Sequence, residues 1–67
     1  MLLKIISTTD GKYIGETLET DLVSTFLPTG EYFEITNRMK LLEGTWKIWN
    51  TNYIIEAEEI LEEKTEV

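Results

Sequence analysis

The chain encodes a mostly β domain, either a small five-stranded barrel or a strongly bent antiparallel sheet. Three observations predict it. Apolar and polar residues alternate with period two from Glu31 to Leu41, and again at Trp46–Trp49 and Tyr53–Ala57. Turn-forming clusters recur at short intervals: Asp10-Gly11, Pro28-Thr29-Gly30, Glu43-Gly44 and Asn50-Thr51-Asn52. The 67 residues suit one small domain, 1–67, with no internal repeat or low-complexity linker.

Residues 2–6 predict the first strand, with Leu3 and Ile5 on one face and Leu2, Lys4 and Ile6 on the other. Asp10-Gly11 is hairpin chemistry, because glycine accepts positive φ without steric cost. From Lys12 to Thr20 the chain alternates again, with Ile14 and Leu18 on one face and Tyr13, Thr17 and Glu19 on the other. Gly15 marks a bulge or tight bend within it. Residues 2–20 therefore predict a first β-hairpin.

Residues 21–27 could form a short helix, since Leu22, Val23, Phe26 and Leu27 have helical spacing behind Thr20 or Asp21 as a cap. A short strand fits them equally. Pro28-Thr29-Gly30 ends either element. Beyond it, Phe33, Ile35, Met39 and Leu41 share a face interrupted by Asn37, opposite Tyr32, Glu34, Thr36, Arg38 and Lys40. After Glu43-Gly44, Trp46 and Ile48 face one way, Lys47 and Trp49 the other. Tyr53, Ile55 and Ala57 line a face of the last strand. A second short helix could span 57–64, where Ala57, Ile60 and Leu61 fall at i, i+3 and i+4.

Histidine and cysteine are absent. The side chains that do most near-neutral acid/base, thiol and zinc chemistry are therefore missing. Asp10, Glu16, Glu19 and Asp21 match no catalytic dyad, so the expectation is a binding protein, not an enzyme, with no cofactor and no metal. A domain near this size buries only ~60% of its unfolded surface. With no disulfide or structural zinc to help, self-association into a homo-oligomer is the expected support.

The net charge is −7, and it is uneven. Residues 56–67 hold Glu56, Glu58, Glu59, Glu62, Glu63 and Glu66 against Lys64, an acidic C-terminal tail from about residue 58. Such a field repels duplex nucleic acid but leaves room for a local phosphate pocket. The tail itself could dock into a basic groove on a protein partner. No stretch is long and apolar enough to span a bilayer, so a cytoplasmic location is expected, in a host cell if the protein is viral.

Two groups could carry binding. The aromatic set is Tyr13, Tyr32, Trp46, Trp49 and Tyr53, of which Trp49 could stack on a planar base. The basic set is Arg38, Lys40 and Lys47, with Arg38 as a fork-shaped phosphate donor. Lys47 is expected to reach the face of Arg38 and Lys40 across a tight turn. The predicted ligand-binding residues are thus Arg38, Lys40, Lys47, Trp49, Tyr13 and Asn37.

Asp10-Gly11-Lys12-Tyr13-Ile14-Gly15, followed by Leu18 and Asp21, resembles the first motif of Sm-like proteins. Ile48 to Ile55 resembles their second motif, although Asn50-Thr51 replaces its Arg-Gly. Other SH3-like and KOW-like barrels share such hairpins. The resemblance implies a five-stranded barrel that self-assembles, and it carries no RNA-binding residues over. Short, acidic and rich in Glu and Thr, the chain also resembles phage-encoded sponge proteins. That likeness implies sequestration of a small anionic ligand, such as a cyclic nucleotide immune signal, between subunits in evasion of anti-phage defence. Two alternatives stay open: an acidic protein inhibitor or nucleic-acid mimic, and a structural assembly module.

Overall fold

The computed structural model describes residues 1–60, and in them the chain forms strands only. These are β1 (Leu2–Thr8), β2 (Thr17–Glu19), β3 (Ser24–Phe26), β4 (Tyr32–Glu34), β5 (Asn37–Leu42), β6 (Thr45–Trp49) and β7 (Ile54–Glu59). Five make an antiparallel sheet in the order β2-β1-β7-β6-β5, and β3 and β4 form a separate two-stranded sheet. The mostly β expectation holds in its open form. The sheet is not closed into a barrel.

The reason lies in two corners. β3 follows β2 after residues 20–23, and β5 follows β4 after Ile35 and Thr36. The two edge strands of the larger sheet thus run on into the smaller one, but the ladders break at each corner. At the second corner, the Ile35 amide donates to Val23 O at 3.0 Å and the Thr36 amide to Trp49 O at 3.0 Å. The single alternating run expected from Glu31 is therefore two strands. Phe33 and Ile35 point into the core, while Met39 and Leu41, expected on the same face, are exposed.

Of the two readings of 21–27, the short strand holds, as β3, and the helix is absent; side-chain hydrogen bonds explain why. Thr20 Oγ1 accepts the Leu22 amide at 2.9 Å and donates to Ser24 O at 2.9 Å. Asp21 Oδ1 accepts the amides of Val23 at 2.9 Å and Ser24 at 3.2 Å. Short polar side chains that bond nearby backbone offer an alternative to helix, and here they turn the chain into β3. The second expected helix, 57–64, is overturned over its first residues, where Ala57 to Glu59 belong to β7. The Glu59 amide donates to Gly44 O at 2.6 Å and the Ile60 amide to Leu2 O at 2.9 Å. Ladder bonds to both neighbours outweigh one helical turn of apolar spacing. Residues 61–64 of that segment lie outside the described residues.

The core follows from register. Leu3 pairs with Leu18, Ile5 with Ala57, and Ile48 with Ile55. Directly opposed residues share a face, so one side of the sheet is continuously apolar. Leu3, Ile5, Leu18, Ile48 and Ile55 are fully buried, and Leu27, Phe33 and Ile35 close over them from the smaller sheet. Each such side chain contributes about 1.5–3 kcal/mol by leaving water. Trp46 pairs with Ala57 on this face and packs half-buried against the core. Its indole N–H donates to Glu59 Oε2 at 2.7 Å. Trp49 pairs with Ile54 on the opposite face, so the two tryptophans do point apart.

Residues 2–20 form the expected antiparallel pair, joined by the long connection 9–16. Ile14, expected beside Leu18, is exposed on that connection. Among the described residues β5 is the longer edge strand of the sheet, and all six of its residues are exposed. Lysine on such an edge discourages pairing with another chain, and Lys40 is so placed.

Candidate functional site

Three connections converge at one end of the sheet: 9–16 after β1, 27–31 between β3 and β4, and 50–53 between β6 and β7. Each is shaped by its own polar residues. Asp10 Oδ1 accepts the Lys12 amide at 3.0 Å, and Gly11 turns at φ +75°. The Thr8 hydroxyl lies 2.7 Å from Lys12 O and 3.0 Å from Asp10 Oδ1, and its one proton serves either. In the last turn, Asn50 Oδ1 accepts the amides of Asn52 and Tyr53, both at 2.9 Å. Between β3 and β4 the Glu31 amide donates to Thr29 Oγ1 at 3.4 Å, and the Leu27 amide donates to Glu31 O at 2.8 Å. Asparagine and aspartate suit these places because their side chains mimic a backbone turn.

Two bonds tie the first connection to the last. The Tyr53 hydroxyl donates to Asp10 Oδ1 at 2.6 Å, and the Ile54 amide donates to Thr9 Oγ1 at 2.8 Å. The Tyr53 bond, reinforced by the Lys12 amide and the Thr8 hydroxyl, holds the Asp10 carboxyl below its ordinary pKa. Partial burial, and then the same bond to Asp10, pushes the Tyr53 phenol up.

Between the three connections lies a cleft of about 410 Å³. Tyr13, Tyr32, Phe33 and Tyr53 supply aromatic wall, and Asp10, Glu31 and Lys12 supply charge. Asn50 and Asn52 add amides at its rim. Phe33 and Tyr53 stand edge to face, 6.0 Å between centroids and 72° between planes. Tyr13 holds φ +64°, a left-handed conformation costly for a residue with a Cβ. The Tyr13 ring lines the cleft from this strained position.

The six residues predicted from sequence do not form one site. Tyr13 alone lines the cleft. Asn37 pairs with Trp49, and Met39 with Lys47, on the outer face of the sheet. Arg38 pairs with Ile48, and Lys40 with Trp46, on the other face. The expected convergence of Lys47 with Arg38 and Lys40 does not occur, because register sets Lys47 opposite Met39. Arg38 Nη1 instead donates to Leu22 O at 3.2 Å across the corner. Lys40 Nζ lies 5.7 Å from the Trp46 ring centroid and Lys47 Nζ 5.6 Å from that of Trp49.

The aromatic set expected from sequence divides: Tyr13, Tyr32 and Tyr53 line the cleft, while Trp46 and Trp49 lie on β6 and do not. Sequence reasoning gave no sign of Glu31, Phe33 or the amides beside them. The only signal available was that all three connections carry an Asp, Asn or Gly turn next to an aromatic residue.

Among the described residues no group of three or more His, Cys, Asp or Glu is placed to hold a metal ion. No helix in them is long and apolar enough to cross a membrane. Comparison with known proteins gives no matching family model, no matching curated protein and no matching solved structure.

Proposed function

We propose that this protein is a non-enzymatic binding module whose ligand sits in the cleft between the three connections. The observation that carries the reading is the convergence of four aromatic rings and two carboxylates on one braced hollow. A volume of about 410 Å³ falls within the range of small-molecule and side-chain pockets. Bracing by the Tyr53–Asp10 bond fixes the cleft before binding, which lowers the ordering cost of a complex. The hydroxyl–carboxylate pair of the cleft, Tyr53 with Asp10, is committed to holding the loops together.

The test is amide and side-chain NMR of the labelled protein against a panel of cationic, neutral and anionic fragments. Shifts centred on Tyr13, Tyr32 and Tyr53 support the reading. A panel that perturbs only the outer sheet face rejects it.

A second reading has its own observation. Asn37, Met39, Lys47 and Trp49 share the outer face beside the exposed edge of β5. A self-assembling protein could hold a small anionic nucleotide there, as in sequestration of a cyclic nucleotide signal. Lys47 would supply the charge, and Trp49 a stacking surface worth ~1–3 kcal/mol per base. Native mass spectrometry with and without cyclic nucleotides tests it. An oligomer that gains nucleotide mass favours this face over the cleft.

A further inference from the structure

We propose that the cleft takes an organic cation, an alkylated ammonium head held against the tyrosine rings with Glu31 and Asp10 as counter-charges. The inference rests on the binding reading above and names its ligand class.

Three features of the molecule point there. The first is the composition of the wall. Four aromatic rings surround a space whose formal charges are Asp10, Glu31 and Lys12, so the lining is net negative. Aromatic faces are electron-rich, and a cation within ~6 Å of a centroid is attracted by the ring quadrupole. An anion meets both terms with the wrong sign. A neutral apolar group gains area but no attraction from the carboxylates.

The second is how this protein treats its other rings. Each tryptophan already has a lysine over it, Lys40 on Trp46 and Lys47 on Trp49. No cation lies over Tyr13, Tyr32, Phe33 or Tyr53 among the described residues, although Lys12 lines the same cleft. Phe33 is buried and Tyr32 also packs edge to face with Phe26, so the π-surface of the cleft still open to a cation from outside is that of Tyr13, Tyr32 and Tyr53. Their disposition also fits. Phe33 and Tyr53 meet at 72°, which makes a corner and not a flat stacking platform. A corner suits a rounded ammonium head, whereas a nucleobase stacks on a flat open face.

The third is electrostatic. The chain carries −7, which raises the local concentration of cations around any concave site. Glu31 sits on the β3–β4 turn beside Tyr32, and its exposed carboxylate can follow the ligand. Asp10 is held in place by Tyr53 and the Lys12 amide.

Choline and its neutral isostere 3,3-dimethyl-1-butanol separate charge from shape. Titration of the labelled protein with each, followed by NMR, is the decisive experiment. The expected result is saturable shifts at Tyr13, Tyr32 and Tyr53 with choline, and binding of the isostere weaker by about tenfold. Tyr32→Ala should remove most of the choline response. Tyr32 is 60% exposed, so that variant keeps the core intact, and an unchanged amide spectrum elsewhere confirms it. A peptide bearing trimethyl-lysine distinguishes the source. If it binds at least tenfold tighter than choline, the cation belongs to a protein partner, and if equally, to a free small molecule.

Equal binding of choline and the isostere overturns the cation assignment while leaving the cleft as a binding site. So does a cleft that responds to anionic fragments and not to choline. No response in the cleft to any member of the panel overturns both this inference and the binding reading beneath it.

Discussion

The hydroxyl of Tyr53 donates to Asp10 Oδ1 at 2.6 Å, joining groups 43 residues apart in the chain. Neither belongs to a strand. The bond fastens the β1–β2 connection to the β6–β7 turn, and through them it sets one side of the cleft. The strands beneath are already paired, since β1 and β7 lie side by side in the sheet. The bond therefore serves the shape of the cleft more than the existence of the fold.

Tyr53→Phe tests that division of labour. The ring remains packed edge to face on Phe33, and only the hydroxyl is lost. The melting temperature should change little. The Asp10 carboxyl should titrate closer to its ordinary value, because its largest stabilising partner is gone. Amides of residues 9–13 should exchange faster. Carbon-detected titration of Asp10, together with hydrogen exchange, reads both. An Asp10 titration unchanged from wild type would show that the hydroxyl does not hold the carboxylate in solution.

The same pair sets a pH dependence with opposite signs at its two ends. Asp10 and Asp21 both have lowered pKa in the folded state, Asp21 through the amides of Val23 and Ser24. A lowered carboxyl contributes stability above its unfolded value, about 3.9, and loses it as pH falls through the folded one. Tyr53 is shifted upward, so its contribution is complete below the unfolded phenol value, about 10, and is lost as pH rises past it. Urea midpoints should therefore be flat from pH 5 to 8 with respect to these groups, falling on both sides. In Tyr53→Phe the alkaline decline should shrink.

Much of the fold could be read from spacing, and the parts that could not have physical reasons. Leu3 and Ile5, Trp46 and Ile48, and Ile55 and Ala57 alternate as buried strands must, and they are where the pattern placed them. The turns at 28–30, 43–44 and 50–52 follow from Pro, Gly and Asn. The corner at 20–23 was missed because Leu22, Val23, Phe26 and Leu27 have helical spacing, while the deciding bonds come from Thr20 and Asp21. Alternation past Thr36 misassigned the faces of Met39 and Leu41, since a break between two strands leaves no mark in a hydropathy pattern. The basic cluster failed for a related reason. Whether Lys47 joins Arg38 depends on register across the β5–β6 turn, which composition does not specify. The cleft was legible only as three tyrosines within an aromatic set that also held Trp46 and Trp49. Its assembly depends on three connections meeting in space, joined by a bond spanning 43 residues.

Tyr13 offers a test of local strain. Its φ of +64° lies where a Cβ crowds the following carbonyl, at a cost of roughly 1–2 kcal/mol that glycine avoids. Tyr13→Gly and Tyr13→Ala both remove the ring, so both lose the same cleft wall. They differ in the backbone. The glycine variant should be more stable than the alanine variant by about 1 kcal/mol, the reverse of the usual order in a strand or helix. Urea unfolding of the pair checks it. An alanine variant as stable as the glycine variant would mean that the connection relaxes out of the left-handed region.

The β2–β3 corner makes the sharpest stability prediction. Thr20 is 4% exposed, and its hydroxyl both accepts the Leu22 amide and donates to Ser24 O. Thr20→Val keeps the shape and removes both bonds, leaving an amide and a carbonyl without their partner in a place water reaches poorly. An unsatisfied buried group costs about 1–3 kcal/mol. In a domain this small, whose total stability is of order 5 kcal/mol, that is a large fraction. Thr20→Ser retains the hydroxyl and loses one methyl, about 0.8 kcal/mol of transfer plus a small cavity. The serine variant should therefore unfold close to wild type and the valine variant well below it, with the same urea m-value. If valine matches serine, the corner is held by Asp21 and its two amide bonds alone. The apolar spacing of Leu22, Val23, Phe26 and Leu27 would then be opposed by one side chain and not two.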